Sequence, residues 1–553
     1  MKQDCLSRLS LMALCLGFFS VPALAQETRA TILGTVTDQT GAVLPGVEVT
    51  AVNTGTNSRS TALTNDSGYY EAAYLIPGTY RIEASLPGFK TYVHDGVELA
   101  TGQRVTLNID LEVGEVTETV TVHGEAPLLE TSTASAGQVI DNRRINELPV
   151  TDMNPFALTH LAPGVIRNAE PMFNRSFDNS RTSNISVAGG GNRANEWTID
   201  GMPNTTAGNR VSYVPPTDAV QEFKVETASF DATVASRMGG AVNVSIKTGT
   251  NEFHGSLYEL HRQQRWNATD WFVNRSFWED VEAGRRSPEE PKQRSGRYNQ
   301  FGGTLGGPVS LPGLYNGRDK TFFFFSYNGI YDSNQEPRFY RMPTQLEREG
   351  NFSELLARGG AEFQIYNPLS ARQEENRVVR DAFPNNIIPP EMISPIARKY
   401  LEFFPLPNNM DSAGADLSNN YFAAQQPRGE DFYSLLSRFD HRISDRQQIF
   451  VRWHYNNRLQ DRGDWTGREL MSNGLRRINS GVAFDDVYTI SSRSVLNFNL
   501  AWSMFKDGNE RKTDGFDIAE LGFPVYLKEQ AADLQHMPRI QISTLPTLGN
   551  PRT

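Results

Sequence analysis

The sequence predicts a mainly β protein made of several domains, in which a small β-sandwich precedes a long region of antiparallel β-hairpins. The chain has 553 residues, which is too long for one ordinary domain. No apolar run after residue 25 approaches the roughly 20 residues that a membrane-spanning helix needs, so a helical membrane protein is excluded. Aromatic residues make up 10% of the chain and stand among polar residues, a mixture that favours strands over helices.

The charge balance argues against a nucleic-acid partner. The chain carries 53 Lys and Arg residues against 64 Asp and Glu residues, which gives a net charge of -11 and a pI near 5.4. A protein that binds nucleic acid normally has the opposite balance because it must neutralise phosphates. We therefore expect no nucleic-acid partner.

Residues 1–25 have the three-part pattern of a secretory signal peptide. Basic residues come first, an apolar run follows, and Ala-Leu-Ala at 23–25 supplies the small-x-small cleavage pattern. The alternative is a buried N-terminal helix. Cleavage before Gln26 would remove both cysteines of the chain, Cys5 and Cys15. The sequence therefore predicts export through the general secretory route, without disulfides or cysteine-ligated metal.

Residues 28–112 predict a small β-sandwich. Short alternating runs, such as 31–37 and 47–51, are separated by turn sequences that include Asn-Asp-Ser-Gly at 65–68. Asn, Asp and Gly tolerate the positive φ that tight turns need. Short strands with turns about every 8–12 residues are typical of a sandwich.

The same residues resemble the carboxypeptidase regulatory-like domain, which is a transthyretin-like β-sandwich. The matching pieces lie at 34–38, 44–47, 64–69, 75–80 and 87–89. The resemblance implies a fold that is grouped with carbohydrate-binding sandwiches, and it implies no peptidase activity. Four tyrosines of this region are either a surface for stacking sugars or ordinary strand residues, namely Tyr69, Tyr70, Tyr74 and Tyr80.

Residues 113–130 form a linker with a β-prone stretch. After Gly114 the sequence runs Glu-Val-Thr-Glu-Thr-Val-Thr-Val to position 122. An extended segment with exposed edges can add as a strand to the sheet of a partner. The stretch resembles the TonB box, the short motif that outer-membrane receptors offer to the periplasmic TonB protein. It could equally be the last strand of the sandwich. The resemblance implies a coupling segment made of Glu118, Thr119, Val120, Thr121 and Val122.

Residues 131–248 mix short helices, loops and glycine-rich strands. We predict helices over 138–148 and 154–161, each stopped by a proline. Four further motifs follow in order, at 185–191, 196–203, 220–226 and 239–249. Their order resembles the α+β plug domain of TonB-dependent receptors, most closely that of the Oar-like branch.

The plug region contains three candidates for contact with a ligand, Arg193, Trp197 and Asp200. Asp200 precedes a glycine in a turn-like setting, so capping of a turn is the alternative role for it. The glycines at 189–191 do not predict a phosphate loop, because no Gly-Lys-Ser or Gly-Lys-Thr follows them. We interpret Glu222 and Glu226 as solvated strand residues.

Residues 249–553 have the texture of β-hairpins with long polar loops. In one predicted strand Val451 and Trp453 share an apolar face, and Arg452 and His454 share the opposite, polar face. This period of two fits a membrane barrel, with one face on lipid and one on a wet lumen, or a soluble sandwich with its apolar face inside. The signal peptide, the long loops and the plug resemblance favour the first part of a transmembrane antiparallel β-barrel. The predicted strands are 253–261, 298–309, 321–331, 432–441, 447–456, 479–489 and 494–505.

No catalytic or metal-binding constellation is found in the sequence. The eight histidines are scattered. No His-Glu-x-x-His, Gly-x-Ser-x-Gly or calcium-loop motif occurs. We therefore expect no enzymatic activity, no cofactor and no bound metal.

Taken together, the chain resembles a TonB-dependent outer-membrane receptor of the Oar-like type. The resemblance implies a place in the lipid of the bacterial outer membrane, energy supplied through the periplasmic domain of TonB, and uptake of a bulky solute. Siderophores, cobalamin, oligosaccharides and peptides all remain open as the solute. A barrel of about 22 strands has a wide lumen, which explains the need for a plug.

Two departures from this family pattern bear on the interpretation. Seven predicted strands are far fewer than about 22, and the chain stops at Asn-Pro-Arg-Thr without a terminal aromatic residue. We therefore expect a fragment that lacks most of its barrel. The alternative function is a surface binding or adhesion protein whose sandwich holds carbohydrate without transport, and a third is an envelope enzyme. A receptor needs 116–122 free, whereas an adhesin can bury this segment as a strand.

Overall fold

Three β-sheet bodies follow one another along the chain, and the mainly β fold class is confirmed. The computed structural model describes residues 29–123, 136–150, 153–167, 175, 179–228, 239–263, 266, 268–282, 287–289, 292, 296–335, 338–423, 427–461, 473–491, 494–511 and 513–549. The predicted signal peptide lies outside the described residues. No helix among the described residues is long and apolar enough to cross a membrane.

The first body is a sandwich of two sheets. One sheet has the order β4-β1-β7, with β8 also on β1, and the other has the order β3-β2-β5-β6-β9. Alternate residues of the strands point inward, such as Tyr80, Ile82 and Ala84, and form one buried apolar core. The strands are β1 (Ala30–Asp38), β2 (Glu48–Asn53), β3 (Arg59–Leu63), β4 (Tyr69–Leu75), β5 (Gly78–Ser85), β6 (Thr91–Leu99), β7 (Arg104–Thr106), β8 (Ile109–Leu111) and β9 (Thr119–His123).

Two of the four tyrosines considered for sugar stacking belong to the sandwich core. Tyr70 and Tyr80 are buried, and their hydroxyl groups donate to the backbone carbonyls of Leu107 and Ile76, each at 2.8 Å. A buried ring with a satisfied hydroxyl has no free face for a sugar. These two residues are therefore ordinary strand residues.

The second body, which we call the plug, is a five-stranded sheet of order β10-β15-β16-β13-β14 with short helices. Its core surrounds the fully buried ring of Trp197, which packs 4.9 Å from the ring of Phe156. The elements are β10 (Ala136–Ile140), α1 (Asn142–Glu147), a 3-10 helix (Pro155–Leu161), β11 (Val165–Arg167), α2 (Asn179–Thr182), β12 (Ile185–Val187), β13 (Glu196–Ile199), β14 (Met202–Pro203), a 3-10 helix (Thr217–Ala219), β15 (Val220–Ala228) and β16 (Ala241–Ile246).

The predicted helix over 138–148 is wrong in its first part. Residues up to Ile140 belong to strand β10, which pairs antiparallel with β15. Helix α1 begins only after Asp141, whose carboxylate caps it by accepting from the backbone N–H of Arg144 at 2.8 Å. The second predicted helix, 154–161, is a 3-10 helix capped by Asn154.

The third body is an antiparallel sheet of seven long strands in the order β17-β18-β21-β26-β27-β28-β29. We call this sheet the wall. All seven predicted strands are confirmed, and among the described residues β17 and β29 do not pair with each other. The strands of this region are β17 (His254–Gln263), β18 (Gly296–Pro308), β19 (Ser310–Leu311), β20 (Tyr315–Asn316), β21 (Thr321–Gln335), β22 (Arg338–Tyr340), β23 (Arg372–Glu374), β24 (Arg377–Val379), β25 (Tyr421–Ala423), β26 (Pro427–Ser444), β27 (Gln447–Asp461), β28 (Asn473–Ser491) and β29 (Ser494–Arg511).

Burial on the wall decides between a membrane barrel and a soluble sandwich. On β27 the apolar Val451 and Trp453 are 38% and 37% exposed, whereas Arg452 and His454 are 4% and 6% exposed. The polar face is therefore covered by the plug and the apolar face is open. A soluble sandwich would bury its apolar face and expose its polar face. The wall does the opposite, as a membrane barrel does when its outer face meets lipid.

The connections of the wall alternate between short and long. Strands β26 and β27 are joined by two residues, 445–446, while β21 and β26 are separated by 336–426. Membrane barrels have short periplasmic turns and long extracellular loops. The sandwich lies on the side of the short turns, because Asn57 donates to Asp319 at 2.8 Å and accepts from Arg442 at 3.2 Å.

One long connection and the segment that follows β29 fold together on the opposite side into a lobe with its own apolar core. Residues 338–423 and 513–549 contribute Met342, Tyr400, Phe404, Leu521, Met537 and Leu548 to this core. Lys399 donates to the carbonyl of Glu520 at 3.1 Å across the two segments. The α-helices outside the sandwich and the plug are α3 (Trp271–Glu282), α4 (Gln345–Arg348), α5 (Ser353–Gly359), α6 (Pro395–Leu401) and α7 (Val525–Ala531).

Candidate functional site

The predicted coupling segment forms the edge strand of the sandwich. Strand β9 pairs in parallel with β6, with Thr91 opposite Thr119 and Val93 opposite Thr121. It is the end strand of its sheet, so among the described residues its other edge is unpaired. The side chains of Thr119 and Thr121 are exposed. The segment is thus the last strand of the sandwich, one of the two options that the sequence left open.

Contacts from Lys90 and Thr91 hold the start of this strand. The backbone N–H of Thr91 donates to the carbonyl of Glu118 at 2.8 Å, and the Thr91 hydroxyl donates to the carbonyl of Val116 at 2.8 Å. The ammonium of Lys90 lies 3.3 Å from Glu118 and 3.4 Å from Glu112. Because both ion pairs are exposed, solvent screens them and they stabilise the strand only slightly.

The sandwich docks on the plug through polar groups of β15. Glu222 accepts from the backbone N–H of Thr101, and the Thr101 hydroxyl lies 2.8 Å from that of Ser245. Lys224 donates to the carbonyl of Gly102 at 3.2 Å. The interpretation of Glu222 and Glu226 as solvated residues is therefore wrong, since both are buried. The loop of the sandwich covers this face of the plug, and no local pattern in β15 signals that cover.

We expect docking of the sandwich on the plug to weaken as the pH rises. Burial raises the pKa of Glu222, and the nearby carboxylates of Asp141 and Glu98 act in the same direction, while Thr101 opposes them. A carboxyl group whose pKa is raised in the docked state favours docking when protonated. The contribution of Glu222 to the free energy of docking is present below the normal pKa of a glutamate, and it is lost as the pH rises through the raised pKa of the docked state. Spin-label distances between sandwich and wall, measured against pH, check this.

Glu222→Gln is the matched variant for this measurement. Its amide oxygen can still accept from Thr101, but it does not titrate, so docking should become independent of pH over the same range. Glu48→Gln, at an exposed position of β2, should leave the wild-type pH profile unchanged. A wild-type profile that is already flat would contradict the expectation.

The plug is fixed to the wall by a buried cluster of charges around Asp200. One carboxylate oxygen of Asp200 lies 3.1 Å from Arg438 of β26, and the other is paired with Arg452 of β27. The Asp200 carboxylate also accepts from the backbone N–H of Ile246 at 2.9 Å, and Arg438 is paired with Asp440 at 2.8 Å. These charges are removed from water, so each depends on its partner.

A second charged cluster lies farther along the wall, toward the long loops. Arg175 of the plug is paired with Asp332 and lies 3.6 Å from Glu430. Arg458 of the wall reaches the same Glu430 at 2.7 Å. The guanidinium of Arg175 also lies 5.6 Å from the ring centre of Tyr298. The plug is thus held to the polar face of the wall at two levels.

The three candidates for ligand contact occupy different environments. Arg193 lies half-buried in a turn with φ of 63°, Trp197 is completely buried in the plug core, and Asp200 is engaged in the charged cluster. The structure does not bring them together on one surface. Their contact with a ligand stays a prediction, and the turn-like setting of Asp200 agrees with its φ of 48°.

A polar cavity of about 350 Å³ lies where sandwich, plug and wall meet. Arg29 of the sandwich pairs with Asp485 of the wall at its margin, and Lys247 and Asn499 line it. Sequence reasoning did not find these residues or the arginines around Asp200. The one signal in the sequence was that polar residues recur at every second position of β26 and β27, on the face that turned out to point inward. Among the described residues, no group of three or more His, Cys, Asp or Glu side chains could hold a metal ion.

Comparisons with known proteins agree with this architecture. The curated TonB-dependent transporter Oar of Myxococcus xanthus is 25% identical over 345 residues, which are 60% of this chain, and the chain spans 29% of the length of that relative. The expected likeness to the Oar-like branch is thereby confirmed.

Two solved structures are also similar. The outer membrane transporter YddB of Escherichia coli has 13% identity and a TM-score of 0.40, with 68% of this chain and 40% of that chain covered. The siderophore receptor PirA of Pseudomonas aeruginosa has 13% identity and a TM-score of 0.33, with 68% and 41% covered.

Two family models match the chain. The carboxypeptidase regulatory-like domain matches residues 31–112. The outer membrane beta barrel domain matches residues 245–553, which include the whole wall. Because this second match takes in more than half of the sequence, the chain belongs to the outer membrane beta barrel domain family, and it is located in the bacterial outer membrane.

Proposed function

We propose that this chain acts as a TonB-dependent receptor that takes up a bulky solute across the outer membrane, without enzymatic activity. The observation that carries the proposal is the seating of the plug. The plug covers the polar face of the wall and is held there by buried charges at Asp200 and Arg175. A lumen filled in this way is closed to large solutes until the plug moves.

Moving the plug requires energy, and an accessible strand at the periplasmic side supplies a place to apply it. Strand β9 is the last strand of the sandwich before the plug in sequence, and among the described residues one of its edges is unpaired. Backbone groups on such an edge can pair with the sheet of a partner protein. We propose the periplasmic domain of TonB as that partner, and Glu118, Thr119, Val120, Thr121 and Val122 as the coupling residues. Siderophores, oligosaccharides and peptides are the proposed classes of solute.

Proline at the centre of the coupling segment should abolish coupling to TonB. Proline removes a backbone N–H and fixes φ, and main-chain pairing tolerates neither change. We expect Val120→Pro and Val122→Pro to lose at least tenfold in crosslinking to TonB, together with energy-dependent uptake. Val120→Ala keeps the N–H and should behave as wild type. Both quantities, crosslinking to TonB and energy-dependent uptake, are measured in intact cells.

Folding of the neighbouring domains is the necessary control for the proline variants. The buried core residues of the sandwich lie between positions 30 and 111, so neither proline replaces one of them. Protease resistance of the sandwich and plug should therefore match that of Val120→Ala. If the proline variants crosslink to TonB as well as wild type does, this segment is not the coupling strand.

A further inference from the structure

Among the side chains that the structure describes, the buried apolar core of the sandwich contains none from strand β9. Every residue of the buried apolar core lies between Ala30 and Leu111, and the partly buried residues packed against that core end at Tyr92 in β6. The side chains of Thr119 and Thr121 on β9 are exposed. Separation of β9 therefore takes none of these core residues with it. Segments with few buried contacts are those that open without unfolding the rest of a domain.

The contacts that do hold β9 are of a kind that can be broken and remade. Those that the structure describes include the main-chain bonds of a five-residue parallel pairing, the two hydrogen bonds from Thr91 and the exposed ion pairs of Lys90. The carboxylates of Glu118 and Glu112 raise the pKa of Lys90, so its ammonium stays charged. Water replaces such contacts at little cost because the groups are already at the surface.

The sandwich, by contrast, is anchored firmly. Its loop binds the plug through Thr101, which pairs with the buried Glu222, and Arg29 pairs with Asp485 of the wall. If β9 stayed on β6 while a partner pulled it, the load would pass into these anchors. The chain leading from β9 to the plug strand β10 would carry no load. For force on β9 to reach β10 directly, β9 has to separate from β6.

We propose that the sandwich holds β9 as a releasable edge strand for which β6 and TonB compete. Strand β9 separates from β6 when TonB pairs with β9, and it pairs with β6 again when TonB dissociates. This proposal rests on the proposed function. It gives the carboxypeptidase regulatory-like domain a role as the resting partner of the coupling strand. Strand β6 keeps the complementary edge, so the same five residues can pair again after each cycle.

A reversible tether between the two strands tests the proposal. Val93 and Thr121 are register partners, and neighbouring strands lie about 4.8 Å apart, within the range that a disulfide can bridge. The double variant Val93→Cys/Thr121→Cys should form a disulfide in outer membranes. Crosslinking to the purified periplasmic domain of TonB is then measured on the same protein before and after reduction. We expect at least a tenfold loss in the oxidised form and full recovery on reduction.

A second tether at the far edge of the same sheet is the matched control. Glu48 of β2 and Leu63 of β3 are register partners at exposed positions. Glu48→Cys/Leu63→Cys should crosslink to TonB equally in both redox states, as should each single-cysteine variant. Comparing one protein in two redox states removes any effect of misfolding, because the reduced form serves as its own reference.

The outcomes separate the two proposals. If the oxidised Val93→Cys/Thr121→Cys protein crosslinks to TonB as well as its reduced form does, TonB pairs with the open edge of β9 without separating β9 from β6. That result refutes the release of β9 and leaves the proposed receptor function standing. Failure of this pair to form a disulfide also refutes the proposal, because β9 is then not seated on β6. If wild type and every reduced variant fail to crosslink to TonB, the proposed function itself fails.

Discussion

Replacing Asp200 with asparagine should loosen the plug by about 3–5 kcal/mol, the typical cost of removing one partner from a buried ion pair. Asparagine tolerates the left-handed backbone of this position, where φ is 48°. Its amide oxygen can still accept from the backbone N–H of Ile246. The substitution therefore removes the charge, and it replaces the oxygen that accepts from Arg452 with an N–H donor. Arg452 loses its acidic partner, whereas Arg438 retains Asp440.

Two measurements report on this loosening. Amide hydrogen exchange of the plug strand β13 should accelerate, and cells should admit large antibiotics that the intact outer membrane excludes. Asp445→Asn is the matched control, because Asp445 is also paired with an arginine, at 3.6 Å, but is 80% exposed. An exposed pair is worth at most about 1 kcal/mol. Equal exchange rates in the two variants would show that the cluster does not hold the plug.

A charge on the outer face of the wall should be the second most damaging change. Leu500 of β29 is 63% exposed and shares its face with Trp502. If this face meets lipid, Leu500→Arg should destabilise the protein by about 2–4 kcal/mol, the cost measured for arginine near the middle of a bilayer. Urea unfolding of the protein in lipid vesicles measures this loss.

The neighbouring residue supplies the control at nearly the same depth. Asn499 faces inward and lines the polar cavity beside Arg29 and Asp485. Asn499→Arg should cost less than about 1 kcal/mol, because substitutions on the lumen face meet water and polar groups. A larger cost for Asn499→Arg than for Leu500→Arg would reverse the assignment of the two faces.

The strands of the wall were predictable because their signal is local. Two-residue alternation over 447–456 is enough to place β27, although the strand runs on to Asp461. The extra residues are missed because the polar Asn457 and Asp461 interrupt the apolar face of the strand. Helix 138–148 failed for the opposite reason. Val139 and Ile140 belong to β10 only because Lys224 and Phe223 lie opposite them, and a partner so far away in sequence leaves no local trace.

The candidate site was predictable in part, and the rest depends on contacts between domains. The β-prone segment at 118–122 stands out by composition alone, but its pairing with β6 can be seen only in the folded sandwich. Glu222 looks like any exposed strand acid until Thr101 is placed against it. In the sequence Asp200 is indistinguishable from an ordinary turn residue, because the two arginines that pair with it in the structure lie more than two hundred positions away. Pairings of this kind follow from tertiary structure and not from sequence spacing.

The lobe formed by residues 338–423 and 513–549 dictates an order of assembly. Tyr400 donates to the carbonyl of Leu548 at 3.3 Å, a contact between residues 148 positions apart in sequence. The four strands β26 to β29 lie between the two halves of the lobe. Contacts that close such long stretches of chain form late, because the loss of chain entropy precedes any gain. The two halves of the lobe should therefore pack together only after these four strands are inserted. The time at which the lobe becomes resistant to protease would then report that insertion is complete.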